Sequence, residues 1–163
     1  MRIRLLLLAL IAIGVLSLPL RSDSQRRSVA FTFDDLPLAD AGSAGMSPAE
    51  QIVEAHAVNA AILAALHRHH SPATGFVNEN KVTAGGAIEQ NRETLHLWIR
   101  DGQDLGNHTF SHADLNQLSA DAFEKEILDG EPSIRSLMGE AGKSVRFLRY
   151  PFNHAGEIGR AHV

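Results

Sequence analysis

Four short runs rich in β-branched and aromatic residues recur along this chain, and helical patterns separate them. The runs are Ser28–Phe33 (SVAFTF), Ala73–Asn78 (ATGFVN), the opening of DLGNHTFSH at Asp104, and Val145–Phe152 (VRFLRYPF). Each reads as a strand. Between the first two, Ser47 caps a helix, Pro48 suits its first position, and Glu50 completes a capping box. That helix is expected to run to about His69, with Ile52, Ala55, Asn59, Ile62 and Leu66 near one stripe. NRETLHLWIRDG is a second helix, anchored by Leu95, Trp98 and Ile99 and ended by Gly102. Ser119 starts a third, which Gly130–Pro132 breaks before a continuation to Met138. The stretch 79–87 (ENKVTAGGA) reads as loop. A β-α-β-α-β-α-β order requires parallel strands with helices outside, in an open sheet or a barrel.

Composition removes several chemistries. The chain has 163 residues, enough for one domain, with nine His and no Cys. Thiolate metal sites, disulfides and Cys nucleophiles are excluded, which leaves imidazoles and carboxylates for metal or acid–base work. A net charge of −4 with no basic patch argues against nucleic acid. At the N-terminus, Arg2 and Arg4 precede an uncharged run, Leu5–Leu20, broken by Pro19 and a polar segment. This predicts a signal peptide or N-terminal anchor over residues 1–22, and a protein that is periplasmic, envelope-anchored or secreted, touching membrane only through that segment.

The polar clusters Asp34–Asp35, Asn78–Glu79, His108–His112 and Arg149 all follow predicted strands, at the edge where parallel α/β folds bind ligands. Adjacent carboxylates repel unless something positive sits between them. One of Asp34 and Asp35 can bind a divalent ion while the other acts as general base on a water that the ion activates. On a helical turn, His108 and His112 would share a face and reach the same ion. Alone, an H-x-x-x-H spacing describes surface histidines equally well, and a DD pair can simply open a loop. Arg149 can pair with a carboxylate, and a backbone N–H near Phe152 can face a developing oxyanion. His67, His69 and His70 fit no single helical face and read as a solvated helix end, where His is electrostatically favoured.

The order TFDD, HTFSH, RYPF, each after a strand, resembles the polysaccharide deacetylase family (carbohydrate esterase family 4). The resemblance implies a partial, distorted (β/α) barrel with about four parallel strands present, and removal of acetyl groups from a carbohydrate polymer or oligomer. It implies Asp34 as catalytic base, with Asp35, His108 and His112 holding one divalent ion, usually zinc. Arg149 would orient the base, and the Phe152 N–H would help hold the oxyanion. The family also carries an aspartate–tryptophan motif and a leucine-rich strand ending in the histidine that serves as general acid. Neither follows Arg149 here. His154 and His162 lie in no leucine-rich strand, so no acid is assigned. Residues 28–163 are therefore expected to be the N-terminal part of an incomplete domain that binds metal better than it turns over. The alternative is a truncated, inactive fragment that binds metal or carbohydrate without turnover. The long stretch between Asp35 and His108 is expected to add a lid or extra surface over the site. A phospho-acceptor domain is disfavoured, because no lone acceptor Asp follows the third strand.

Overall fold

The computed structural model describes residues 28–39 and 45–156. The expected export segment, 1–22, and His162 lie outside the described residues. Among the described residues no helix is long and apolar enough to cross a membrane.

Among the described residues three parallel strands form one sheet in the order β1 (Phe31–Leu36), β2 (Ala73–Val77), β3 (Asp104–Asn107). β1 starts and ends later than its sequence suggested, because the ladder continues past the two aspartates until Leu36 pairs with Val77. Three residue steps on β1, from Phe33 to Leu36, face two on β2, from Gly75 to Val77. The extra residue is a bulge, and Asp35 absorbs it at φ 64°.

The fourth run is not a full strand. Leu148 makes a single parallel bridge to Asn107, with Asn107 N–H donating to the Phe147 carbonyl and Arg149 N–H donating to the Asn107 carbonyl. The bridge is at the last residue of β3, and Pro151 closes the run soon after. The segment still lies where a fourth parallel strand would.

Helix α1 (Pro48–Arg68) has the expected capping box: the Glu50 N–H donates to Ser47 Oγ, and the Ser47 N–H donates to Glu50 Oε2. Helix α2 (Glu79–Thr83) and a tight turn at Ala84–Gly86 replace the expected loop. Val82 supplies the reason, since it is wholly buried and draws this polar, Gly-rich stretch onto the core. Helix α3 (Ile88–Arg100) ends in a Schellman motif: the Gly102 N–H donates to the Ile99 carbonyl, the Gln103 N–H donates to the Trp98 carbonyl, and Gly102 sits at φ 83°. Helix α4 (Ala120–Asp129) is capped by Ser119, and α5 (Pro132–Glu140) follows the break at Gly130.

The core lies on one face of the sheet. Leu63 and Leu66 of α1, Leu95 and Trp98 of α3, and Ile134, Leu137 and Met138 of α5 meet Leu36, Val77 and Leu105 of the strands. Each such fully buried side chain contributes about 1.5–3 kcal/mol of transfer free energy. A Cβ at Gly75 would meet Leu36 and Trp98, so Gly75 points to this face. Phe76, next along the strand, points to the other. There the Arg149 guanidinium covers its ring, 4.7 Å from the centroid. The helices thus pack behind the sheet and leave its opposite face to the polar residues. α1 serves as the β1–β2 crossover, packed on α3, rather than as the lid expected from the long spacing.

Candidate metal centre

The β1 bulge gives the two aspartates different surroundings. Asp34 is exposed and Asp35 half-buried. Asp34 Oδ1 lies 3.5 Å from Arg149 Nε. Asp35 Oδ1 lies 3.6 Å from His112 Nε2 and 3.4 Å from Lys81 Nζ. The loop after β1 is clamped from behind by Asn59, which donates to the Pro37 carbonyl at 2.7 Å and accepts from Trp98 Nε1 at 2.6 Å.

The two histidines converge, but not on a helical turn. Thr109 at φ 68° and His112 at φ 60° fold HTFSH into an irregular loop. Its shape is fixed by side chains around it. Asn107 Oδ1 accepts from the Thr109 N–H, and Glu126 of α4 accepts from the Ser111 N–H and Oγ. Asn78 donates to the His108 carbonyl, and the His108 N–H donates to the Val77 carbonyl. Spacing alone put both imidazoles within reach of one ion, and the loop does so by a different route. The rings stand edge to face, 4.9 Å apart.

His108 is 2% exposed, and its Nδ1 faces the Arg149 carbonyl at 2.9 Å. A carbonyl only accepts, so Nδ1 carries the proton and Nε2 keeps its lone pair, as a metal ligand requires. Burial holds the His108 pKa below the ordinary histidine range, although the Arg149 carbonyl and Asp34 favour the cation.

One donor atom from each of Asp35, His108 and His112 lies within 4.8 Å of the others. Ligands about 2.0–2.1 Å from a tetrahedral zinc stand about 3.4 Å apart, close to the Asp35–His112 separation. Two imidazoles and a carboxylate are a donor set that zinc accepts with positions left open. The residues present therefore fit a divalent ion.

Arg149 reaches Asp34 from the segment beside β3, held there by the bridge at Leu148. Phe152 follows in a short turn, Pro151–Asn153, at φ 58°. Its ring lies 4.6 Å from that of His112, which puts the side chain beside the site. All six residues singled out from the sequence are gathered at this edge. Glu79, which also follows a strand, is not: it is buried, accepting from the Ser133 N–H and Oγ at the start of α5. His154 pairs with Asp114 at 2.9 Å on the rim. His67 pairs with Asp101 at 3.1 Å at the far end of α1. Lys81, Asn59, Asn107 and Glu126 were missed by sequence reasoning. Asn59 was read as part of an apolar stripe and Lys81 as part of a loop; an Asn on a buried face was the one available signal.

The polysaccharide deacetylase family model matches residues 21–158. The chain is 30% identical over 91 residues to a chitooligosaccharide deacetylase of Sinorhizobium fredii, covering 56% of this chain and 39% of that protein. It is 30% identical over 134 residues to the peptidoglycan-N-acetylmuramic acid deacetylase PdaC of Bacillus subtilis, covering 81% of this chain and 24% of that protein. The solved structure of PdaC superposes with a TM-score of 0.56 at 26% identity, over 85% of this chain and 55% of that one. The chain thus spans well under half the length of these two curated relatives. The match over most of the sequence, with the strand order and the gathered motifs, places the chain in the polysaccharide deacetylase family.

Proposed function

We propose that this chain belongs to a metal-dependent hydrolase that removes acetyl groups from an N-acetylated carbohydrate outside the cytoplasm. The observation that carries the reading is the joint placement of Asp35, His108 and His112 around one point, with Asp34 and Arg149 paired beside them. A divalent ion, zinc on the chemistry of its donors, would supply Lewis acidity toward water and toward the acetyl carbonyl. Asp35, His108 and His112 would hold it. Asp34 accepts a proton from the attacking water, while Arg149 fixes the orientation of its carboxylate. The Phe152 N–H donates to the oxyanion as the carbonyl carbon becomes tetrahedral; collapse then breaks the carbon–nitrogen bond and releases acetate, and the proton that Asp34 took up balances the one the departing amine acquires. Deprotonated Nε2 of His108, favoured by burial, keeps that imidazole available as a ligand.

Chitooligosaccharide and peptidoglycan relatives support an amino-sugar polymer as substrate. The uncharged run after Arg2 and Arg4 supports export to where such polymers lie. The test is acetate release from N-acetylchitooligosaccharides and from peptidoglycan fragments by the purified protein loaded with zinc or cobalt. Release that stops on chelation supports the reading. Stoichiometric metal uptake with no acetate released from either substrate would favour the alternative, a fragment that binds metal or carbohydrate without turnover.

A further inference from the structure

Each aspartate of the pair has its own cation. Arg149 faces Asp34, and Lys81 faces Asp35 with Nζ 3.4 Å from Oδ1. The Lys81 side chain is only 16% exposed, and its Nζ also donates to the Leu38 carbonyl at 3.4 Å. It therefore ties the Asp35 carboxylate to the backbone of the loop that follows β1. Its own backbone is anchored: the Lys81 N–H donates to the Asn78 carbonyl, and Asn91 of α3 donates to the Lys81 carbonyl at 3.0 Å. The neighbouring Asn80 N–H donates to the Phe110 carbonyl, inside the loop that carries His108 and His112. α2 thus links both halves of the metal site.

We propose that Lys81 is a positioning residue for the metal centre, holding the Asp35 carboxylate turned toward His112 before the ion arrives. The proposal rests on the reading of Asp35, His108 and His112 as ligands. Two effects of opposite sign compete. The ammonium repels an incoming cation, but it also fixes a carboxylate that sits on a bulge at a left-handed φ, whose other described side-chain partner is His112 at 3.6 Å. Asp35 is partly exposed, so solvent and salt weaken the repulsion. The ion pair that orients the carboxylate is screened too, but the hydrogen bond to the Leu38 carbonyl and the burial of Lys81 keep the ammonium in place. Removing a group that orients a metal ligand typically weakens metal binding about 10–100-fold. Positioning is thus expected to outweigh repulsion.

The test is competitive titration of zinc against a chromophoric chelator for wild type, Lys81→Met and Lys81→Arg. Melting curves without metal accompany it, and all titrations are run well below the melting midpoints. Visible absorption of the cobalt-loaded proteins reports the ligand geometry itself. Lys81→Met is expected to bind zinc about 10–100-fold more weakly, with an altered cobalt spectrum and a melting curve like wild type. Lys81→Arg, which keeps a donor and a charge, is expected to recover part of the affinity. Lys81→Met binding as tightly as wild type, or more tightly, with an unchanged cobalt spectrum would overturn the role of Lys81 and leave the ligand set standing. A wild type that takes up no metal would overturn both.

Discussion

Asp34 and Asp35 are chemically identical neighbours with different partners. Asp34, exposed against Arg149, has room to meet a substrate water; Asp35, half-buried against His112 and Lys81, faces inward to the histidines. The two should therefore fail differently. Asp34→Asn is expected to retain bound metal and lose about 10²–10⁴-fold in deacetylation rate, the usual loss for a missing general base. Asp35→Asn should lose metal first, and activity as a result. Metal analysis beside acetate release on both variants separates the roles, and equal metal loss in both would refute the division. This pair was legible in the sequence as two candidate roles. Their different surroundings could not be read from spacing, because they depend on a one-residue bulge against β2.

At the scale of elements, the site is built from ends and turns. The capping residues Ser47 and Ser119 and the stop at Gly102 were readable, because each satisfies local backbone groups. The HTFSH loop was not, because its shape comes from Asn107, Asn78 and Glu126, and Glu126 reaches it from a later helix. The α2 helix was hidden for a similar reason: its composition is that of a loop, and it is held by contacts of the assembled core, with Val82 and Glu79 buried and Asn91 donating to the Lys81 carbonyl. Gly130 shows how tightly α4 is set against the loop. A Cβ there would lie 2.7 Å from Asn107 Oδ1 and 2.8 Å from the Thr109 backbone carbon. Gly130→Ala is expected to cost about 1–3 kcal/mol in denaturant unfolding, the range for overpacking, and to weaken metal binding because the displaced loop carries His108. A variant with wild-type stability and metal affinity would show that the loop yields freely.

Across the whole molecule, Asp104 joins two parts that sequence order keeps apart. From the start of β3 its carboxylate accepts from Lys143 and Arg146, and so holds the segment that delivers Arg149 to Asp34. Burial is the largest single influence on Asp104 and raises its pKa, but the bonds and charges of Lys143 and Arg146 together hold it below the ordinary value. A depressed carboxylate contributes stability above its unfolded pKa of about 3.9, and that stability is lost as pH falls through the folded pKa. The stability gap between wild type and Asp104→Asn should be constant from neutral pH to about pH 5 and close below about pH 4. A gap that widens with acid would contradict the sign. The fold class was legible from the alternation of runs. The incompleteness of the fourth strand was not, since VRFLRYPF has full strand composition yet meets β3 only at Asn107.

The proposed chemistry depends on one divalent ion held by Asp35, His108 and His112 together. Elemental analysis of the purified protein after zinc loading and desalting tests it most directly, with wild type compared with His108→Ala. About one equivalent of zinc per chain is expected in wild type and essentially none in His108→Ala at matched folding. Equal metal in the two proteins would contradict it.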